Sequence, residues 1–285
     1  MGSYDTRTST PEDILKIAEI HGKNGVSAIV PTIYSDSIDR MRENMEGVRK
    51  AMEIQSKEDM RQKAENRGDK TKITKPSKII GLHLEGPFLN PLRSGALDKG
   101  SFLRPNLASL KKLIDGYEEI IKIITVAPEL PGALKIIERC REIGFKVNMG
   151  HSDATYKEAI EGKRAGATGI THLFNAMRPF HHRDPGIAGL ALIDDDLYIE
   201  VIADGIHLSQ EVLKLVFNIK RSDRIIVVSD SIKGAGNKRK PLYKKGVLIG
   251  STMVISEAAN MLRQIGLSES IIRKALIENP KRYLR

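Results

Sequence analysis

The sequence predicts an α/β fold of the (β/α)₈ barrel type, and two features carry this prediction. Short β-branched runs alternate with amphipathic helical segments along the 285 residues, an order that favours parallel βαβ units. The runs are apolar almost throughout, as expected for strands that helices cover on both faces. Because the alternation persists along the chain, residues 1–285 are predicted to form a single domain.

Seven strands are expected, at residues 27–32, 78–86, 120–129, 145–151, 169–175, 198–204 and 224–230. Helices are expected at residues 11–25, 36–65, 107–117, 132–144, 155–166, 209–221, 256–266 and 268–280. A closed barrel of this type needs eight strands. The first element is a helix with Pro11 at an early position, so the first barrel strand is expected to be missing from this chain. No glycine-rich phosphate fingerprint follows a strand, which disfavours a dinucleotide-binding sheet.

The amino-acid composition disfavours several classes of function. The net charge is +10, and much of the excess lies in residues 61–78 and 237–245, which we interpret as solvated loops. Aromatic residues make up only 5% of the chain and do not interleave with these cations, so nucleic-acid binding is poorly supported. No apolar run approaches the roughly 18 residues of a membrane span. The single Cys140 is expected to be a small buried hydrophobe; without a disulfide framework, a cytoplasmic location is expected.

Polar side chains recur where the predicted strands end. They are Glu85, His151, His172, Asp204 with His207, and Asp230. In a parallel barrel these ends meet on one face, where the active sites of this architecture lie. A buried ionised glutamate is unfavourable unless it is paired or binds a metal, and two histidines with one glutamate form a catalytic zinc set that leaves a position for water. The pattern therefore indicates a metal-assisted hydrolase.

Two further residues allow two interpretations each, and a third is expected to be structural. Asp230 could cap the loop after its strand, or act as the general base that takes a proton from metal-bound water. His83 lies on the same side of its strand as Glu85, so it could fill the barrel interior or support the site; the interior is favoured. His21 lies on a charged helical stretch and is expected at the surface.

Seven stretches make the sequence similar to the N-acetylglucosamine-6-phosphate deacetylase family of the amidohydrolase superfamily. They are "GLHLEGPFLNP", "VAPELPGA", "GHSDATYKEA", "GATGITHLFNAMRPFHHRDPG", "IADGIHL", "VVSDSIKGAG" and "GSTM", in the order found in that family. The resemblance implies a metal-dependent (β/α)₈ barrel that hydrolyses the acetamide of an amino-sugar phosphate. It also implies a homodimer.

The resemblance assigns roles to individual residues. Glu85, His151 and His172 match the ligands of one divalent metal, zinc first, with iron, cobalt or manganese as alternatives. Asp230 matches the group that activates water and then protonates the amine. The matched substrate contacts are Asn175 and Ala176, His207, and Arg183, whose planar guanidinium suits a phosphate, across a dimer interface in this interpretation.

The sequence departs from the family pattern at three points. Leu97 stands where the family places a histidine that orients the acyl group. The first strand and the small β-sandwich built from both termini are also absent, so a reduced form of the family is expected. Two alternatives to the deacetylase follow: an amidohydrolase acting on another N-acyl substrate, and a catalytically impaired barrel that binds sugar phosphate. Neither a membrane nor a nucleic acid is expected as a partner.

Overall fold

The computed structural model describes residues 1–64, 75–235, 242–244 and 246–285. Seven parallel strands form its main sheet, in the order β2-β4-β5-β6-β7-β8-β9. They are β2 (Thr32–Tyr34), β4 (Leu82–Glu85), β5 (Ile121–Val126), β6 (Lys146–Met149), β7 (Gly169–Ile170), β8 (Tyr198–Ile202) and β9 (Ile225–Val228). Two short strands, β1 (Ala28–Ile29) and β3 (Lys78–Ile79), pair in parallel just before β2 and β4. A small antiparallel hairpin consists of β10 (Tyr243–Lys244) and β11 (Val247–Leu248).

Helices follow the strands and cover the outside of the sheet. They are α1 (Pro11–Lys23), α2 (Ile38–Ala64), α3 (Leu107–Ile114), α4 (Ala133–Ile143), α5 (Tyr156–Ala165), α6 (Gly186–Ile193), α7 (Gln210–Ile219), α8 (Ile255–Gln264), α9 (Glu269–Arg273) and α10 (Asn279–Tyr283). A π-helical segment, Lys274–Glu278, joins α9 to α10. Within the described part of the chain, no helix is both long enough and apolar enough to cross a membrane.

The sheet is strongly curled, and this places its strand ends around a common centre. β4 and β7 lie three positions apart, which in a flat sheet would be about 14 Å. Yet Glu85 at the end of β4 and His172 after β7 approach to 3.0 Å. On the inner side, Ile123 of β5 and Ile226 of β9 pack in one cluster with Tyr283. The seven strands therefore form a half-barrel whose carboxyl ends converge.

All seven predicted strands are present, which confirms the α/β barrel class. Pro31 separates β1 from β2, and Gly81, with φ of 143°, separates β3 from β4. Each predicted helix is found within a few residues of its expected bounds. Helix α6 was not predicted from the sequence, because its segment "GIAGLALI" is buried nearly throughout and shows no amphipathic period. Most of the two basic stretches expected to be loops lie outside the described residues.

The C-terminal helix closes the lower end of the half-barrel. Tyr283 of α10 is buried, and its ring packs 4.8 Å from that of Tyr198. Its hydroxyl donates to the side-chain oxygen of Asn148 and lies 3.2 Å from the hydroxyl of Thr168. The lower interior is thus filled by an aromatic side chain that enters from outside the sheet.

The structure contradicts the expectation that His21 lies at the surface. It lies on the inner face of α1 and is only 9% exposed, because the helix packs this face against the core together with Ile14 and Ile17. Burial, together with the nearby amino group of Met1, lowers the pKa of His21 to about 4.

This burial predicts a loss of stability in mild acid. In the unfolded chain His21 titrates near its usual value of 6.5, whereas in the fold it resists protonation down to about pH 4. The stability that the neutral ring contributes is therefore complete above pH 6.5 and is lost as the pH falls toward 4. The expected loss in unfolding free energy is on the order of 3 kcal/mol.

Urea unfolding at pH 7 and pH 4.5 measures this loss. The His21→Gln variant should show a smaller drop than the wild type, with the remainder coming from groups such as His83, whose pKa burial also lowers to about 4. His182→Gln, at an exposed position, is the matched control and should follow the wild type. Equal drops for wild type and His21→Gln would contradict the assignment.

Candidate metal centre

Glu85, His151 and His172 meet at the carboxyl ends of β4, β6 and β7. The Oε1 atom of Glu85 lies 3.1 Å from Nε2 of His151 and 3.0 Å from Nε2 of His172, and the two Nε2 atoms are 3.2 Å apart. All three residues are buried. Among the described residues, this is the group of at least three acidic, histidine or cysteine side chains whose ligand atoms could share one ion.

The triangle fits a small divalent cation. Ligands about 2.0–2.1 Å from a tetrahedral ion lie about 3.3 Å from one another, close to the three distances measured here. The ring of His151 is already oriented for ligation, because its Nδ1 lies 2.9 Å from the carbonyl oxygen of Arg93. A proton on Nδ1 donated to this carbonyl leaves the lone pair of Nε2 free for a metal. The donor set and its outer hydrogen bond therefore fit zinc and related ions.

The charges in the cluster are strongly coupled. Burial opposes ionisation of Glu85, but the hydrogen bonds and positive charge of the two imidazoles lower its pKa well below the usual value. Burial likewise opposes the charge of His172, and the Glu85 carboxylate outweighs it and raises the pKa of His172 to about 9. A proton on His172 would have to leave before its Nε2 could bind a metal, so binding should release protons.

The backbone is strained at the positions that form the site. Five described non-glycine residues have positive φ: His151 (47°), His172 (30°), Phe174 (72°), Ala176 (47°) and Asp230 (42°). All five follow barrel strands. Such conformations are unfavourable by about 1–3 kcal/mol each and cluster at functional sites, where the surrounding structure holds them. Here they turn the chain sharply after the strands that carry the candidate ligands and Asp230.

Asp230 follows β9 at the edge of the same cluster. The backbone amide of Ser251 donates to its carbonyl oxygen at 2.9 Å. Gly250 lies so close that an added Cβ would be 3.0 Å from Oδ2 of Asp230. Burial and the charge of Glu85 raise the pKa of Asp230, against the attraction of His172. The carboxyl group is thus placed within electrostatic reach of the candidate ligands, as expected for a group that exchanges protons at this centre.

His207 is held in place by Asp204, the other polar residue after β8. Its Nδ1 lies 2.7 Å from Oδ2 of Asp204, which also accepts a hydrogen bond of 2.9 Å from the hydroxyl of Ser251. The other oxygen of Asp204 accepts from the backbone amides of Ile206 and His207. Asp204 therefore fixes the ring of His207, an orienting role that the sequence alone did not assign.

The remaining predicted substrate contacts divide into two groups. Asn175 and Ala176 lie directly after His172, in the strained turn that follows β7. Arg183 is exposed on the next loop, where its guanidinium lies 2.8 Å from Nε2 of the neighbouring His182. Within the described residues, the structure does not bring Arg183 into contact with the cluster.

Leu97 lies in a loop that borders the cluster. Its backbone amide donates to the carbonyl of Ser94, closing a turn around Gly95. An added Cβ at Gly95 would lie 3.3 Å from the Cβ of Ala176 and 3.6 Å from Cε1 of His151. The loop that carries Leu97 therefore packs against both a candidate ligand and a candidate substrate contact.

His83 lies below the cluster, in the interior of the half-barrel. Its Nε2 is 2.7 Å from the hydroxyl of Thr125, which is 2.7 Å from the hydroxyl of Thr171. On the other side, Asn148 donates to Glu200 at 2.9 Å, and burial raises the pKa of Glu200 to about 7. The interior is thus polar and hydrogen-bonded, and His83 lies buried within it.

Three charged residues around His151 were not recognised from the sequence. They are Glu129 after β5, Arg93 in the short 3₁₀-helix Pro91–Arg93, and Asp153 after β6. Glu129 had one available signal, since it stands in "VAPEL" just beyond an apolar strand, as Glu85 does. The other two lie in loops whose conformation only the fold reveals.

Fold and site together define the class: a parallel half-barrel with a carboxylate and two imidazoles at its strand ends is typical of the metal-dependent amidohydrolases. The chain matches no protein-family model. It is 37% identical to the N-acetylglucosamine-6-phosphate deacetylase of Bacillus subtilis over 204 residues, 66% of this chain and 51% of that protein. It is 33% identical to an N-acetylgalactosamine-6-phosphate deacetylase of Escherichia coli O157:H7 over 160 residues, 56% of this chain and 42% of that protein.

Solved structures agree with these relatives. N-acetylglucosamine-6-phosphate deacetylase from Thermotoga maritima superposes with a TM-score of 0.82 at 28% identity, covering 100% of this chain and 76% of that one. A variant of the Mycobacterium smegmatis enzyme in complex with N-acetyl-D-glucosamine-6-phosphate superposes with a TM-score of 0.83 at 25% identity. The superposition covers 99% of this chain and 74% of that one. The chain is thus similar in sequence and fold to the N-acetylglucosamine-6-phosphate deacetylases, and it spans about half the length of the curated relatives it matches.

Proposed function

We propose that the protein hydrolyses the N-acetyl group of an amino-sugar phosphate, converting N-acetylglucosamine 6-phosphate to glucosamine 6-phosphate and acetate. The observation that carries this proposal is the triangle of Glu85, His151 and His172, with sides of 3.0–3.2 Å, beside Asp230 at the mouth of the half-barrel. A centre of this kind suits hydrolysis of an amide. The deacetylases that the chain resembles supply the substrate class.

Glu85, His151 and His172 would hold one divalent ion, for which zinc is our first choice and iron, cobalt and manganese are alternatives. When bound, such an ion polarises a carbonyl oxygen and lowers the pKa of a bound water. The three residues place their ligand atoms within 3.0–3.2 Å of one another. Burial keeps bulk water from competing for these atoms.

Asp230 would move the protons of the reaction. Its carboxylate would take a proton from the attacking water and later give it to the nitrogen of the departing amino sugar, so that a neutral amine leaves. The raised pKa of this half-buried carboxyl group suits a side chain that must be both acceptor and donor. His207, held by Asp204, would position the substrate, together with Asn175 and Ala176.

Arg183 would bind the phosphate. Its exposure agrees with a role at a subunit boundary, where the guanidinium of one protomer would reach the substrate of its partner. This role requires a homodimer, which we also propose. We further propose that residues 1–285 work as one hydrolase domain, which a shared core cluster running from Met1 to Ala275 supports, and that the protein is cytoplasmic.

Leu97 gives a specific reason to keep a second candidate substrate. Its loop packs against Ala176 and His151 through Gly95. The family resemblance implies a histidine that orients the acyl group at position 97, and this chain has an apolar side chain there. A leucine cannot donate a hydrogen bond to an acyl oxygen. A different N-acyl compound, or slow turnover in a barrel that mainly binds sugar phosphate, would follow if this contact is essential.

Acetate release from purified, metal-loaded protein tests the proposal. N-acetylglucosamine 6-phosphate should be turned over faster than the unphosphorylated sugar, because the phosphate contributes binding energy through Arg183. N-acetylgalactosamine 6-phosphate and longer N-acyl derivatives complete the panel and separate the epimers and acyl groups. Preference for another acyl substrate would support the second candidate. No turnover of any substrate with zinc, iron, cobalt or manganese would overturn the proposed activity.

A further inference from the structure

His151 needs outside support, because its backbone is strained. With φ of 47° it occupies the left-handed region, and a residue persists there only where its surroundings determine its position. Its carbonyl oxygen accepts a hydrogen bond of 2.9 Å from the backbone amide of Asn90, and its Nδ1 is hydrogen-bonded to the carbonyl oxygen of Arg93. These contacts link the loop after β6 to the loop after β4. They hold His151 only if the two loops are themselves fixed.

Glu129, on the loop after β5, fixes both loops. Its Oε1 accepts from the side-chain amide of Asn90 at 2.9 Å and from the backbone amide of Asp153 at 2.6 Å. Its Oε2 accepts from the hydroxyl of Ser152 at 2.7 Å. One carboxylate thus binds the residue before the 3₁₀-helix and the two residues after His151.

A second carboxylate continues the connection. The Oδ1 atom of Asp153 accepts from Nε of Arg93 at 2.7 Å and lies 2.6 Å from its Nη2, while Oδ2 accepts from Nη1 of Arg178 at 3.3 Å. Arg93 is the residue whose carbonyl orients the ring of His151. Glu129 is therefore connected to His151 in three steps. Its carboxylate binds the backbone amide of Asp153, the Asp153 side chain binds the guanidinium of Arg93, and the carbonyl of Arg93 contacts the imidazole of His151.

We propose that Glu129 is a positioning residue for the metal centre: through Asn90, Ser152 and Asp153 it holds His151 in its strained backbone conformation with Nε2 directed at the ion. The inference rests on the metal centre proposed above. Its role depends on the reach and shape of the side chain, because the three groups that donate hydrogen bonds to it are neutral. Among the described residues, Glu129 is not part of the group whose ligand atoms could share one ion, so we assign it no ligand role.

Two conservative substitutions separate the effect of side-chain position from the effect of charge. Glu129→Gln removes the charge and keeps the length: its carbonyl can accept from Asn90 and Asp153, while the Ser152 hydroxyl can rotate to accept from the new amide. Glu129→Asp keeps the charge and shortens the side chain by one methylene, so it cannot reach all three donors. Positioning predicts that the glutamine variant binds metal normally and the aspartate variant does not.

Zinc affinity, measured by competition with a chromogenic chelator, is the readout. We expect Glu129→Ala and Glu129→Asp to bind zinc about 10–100-fold more weakly than wild type, the range typical of lost outer hydrogen bonds, and Glu129→Gln to stay within about threefold. The d–d absorption of the cobalt-loaded protein should change in the first two variants and not in the third. Glu138→Ala, at an exposed glutamate on α4, is the control and should match wild type.

Each outcome decides the matter. Wild-type affinity in Glu129→Asp overturns the inference, as does weak binding by Glu129→Gln with normal binding by Glu129→Asp, which would indicate long-range attraction. If Glu129→Ala does not fold, the comparison of Gln with Asp still decides, since both retain most of the side chain. Failure of the wild type itself to bind metal would instead overturn the proposed function, independently of Glu129.

Discussion

Replacing Asp230 by asparagine is expected to lower kcat for acetate release by about 10²-fold to 10⁴-fold, the range typical of a lost general acid–base. Asparagine has nearly the same shape, but it can neither take the proton of the attacking water nor return it to the amine. Because Asp230 lies outside the three-atom cluster, Asp230→Asn should keep its bound metal. Steady-state kinetics and metal analysis of the same preparation measure both effects.

The control for this variant is Asp195→Asn, the same change at an exposed aspartate before β8. It should retain the kcat of the wild type. Retention of activity within about tenfold in Asp230→Asn would remove Asp230 from its proton-transfer role. Loss of the metal in this variant would instead identify Asp230 as a fourth ligand.

Replacing His151 by alanine should abolish stable metal binding and activity together. The substitution removes one of three ligand atoms and leaves Glu85 and His172 as a buried pair 3.0 Å apart. Losing a ligand should weaken zinc binding by more than about 100-fold, the upper end of the effect of losing an outer hydrogen bond. Metal content after dialysis should fall from one ion per chain to nearly none, and acetate release should fall with it.

His182→Gln, at an exposed histidine, should keep a full complement of metal. Thermal unfolding of both variants distinguishes loss of the site from loss of the fold. If His151→Ala retained one tightly bound ion, Glu85, His151 and His172 could not be the ligand set. The hydrolytic mechanism would then have no centre.

The strand ends were predictable because they depend on a pattern that is local in sequence. Apolar runs that end in Glu85, His151 and His172 indicated both the strands and the convergence of these side chains. Parallel barrel geometry then required the three to lie on one face. The distances among them depend on how far the sheet curls, which no local pattern contains.

The residues that sequence reasoning missed act through loops. Glu129 and Asp153 were passed over because their partners, Asn90 and Arg93, are distant in sequence and meet them only in the folded loops. His21 was assigned to the surface because the charged residues beside it conceal an apolar face on α1. Helix α6 was not recognised because its residues are apolar on every side, so the sequence shows no alternation of polar and apolar faces with the helical period.

The positive φ angles at the barrel mouth set function against stability in this protein. Glycine at Phe174 or Ala176 would relieve a left-handed backbone, as glycine does wherever φ is positive. The same glycine would also give the turn after His172 more backbone conformations, so the turn would hold its side chains less precisely. Selection for heat resistance alone would therefore favour glycine at these turns at the expense of the site. Substitutions meant to change activity are better placed in the neighbouring loops, such as those that carry Leu97 and Arg183.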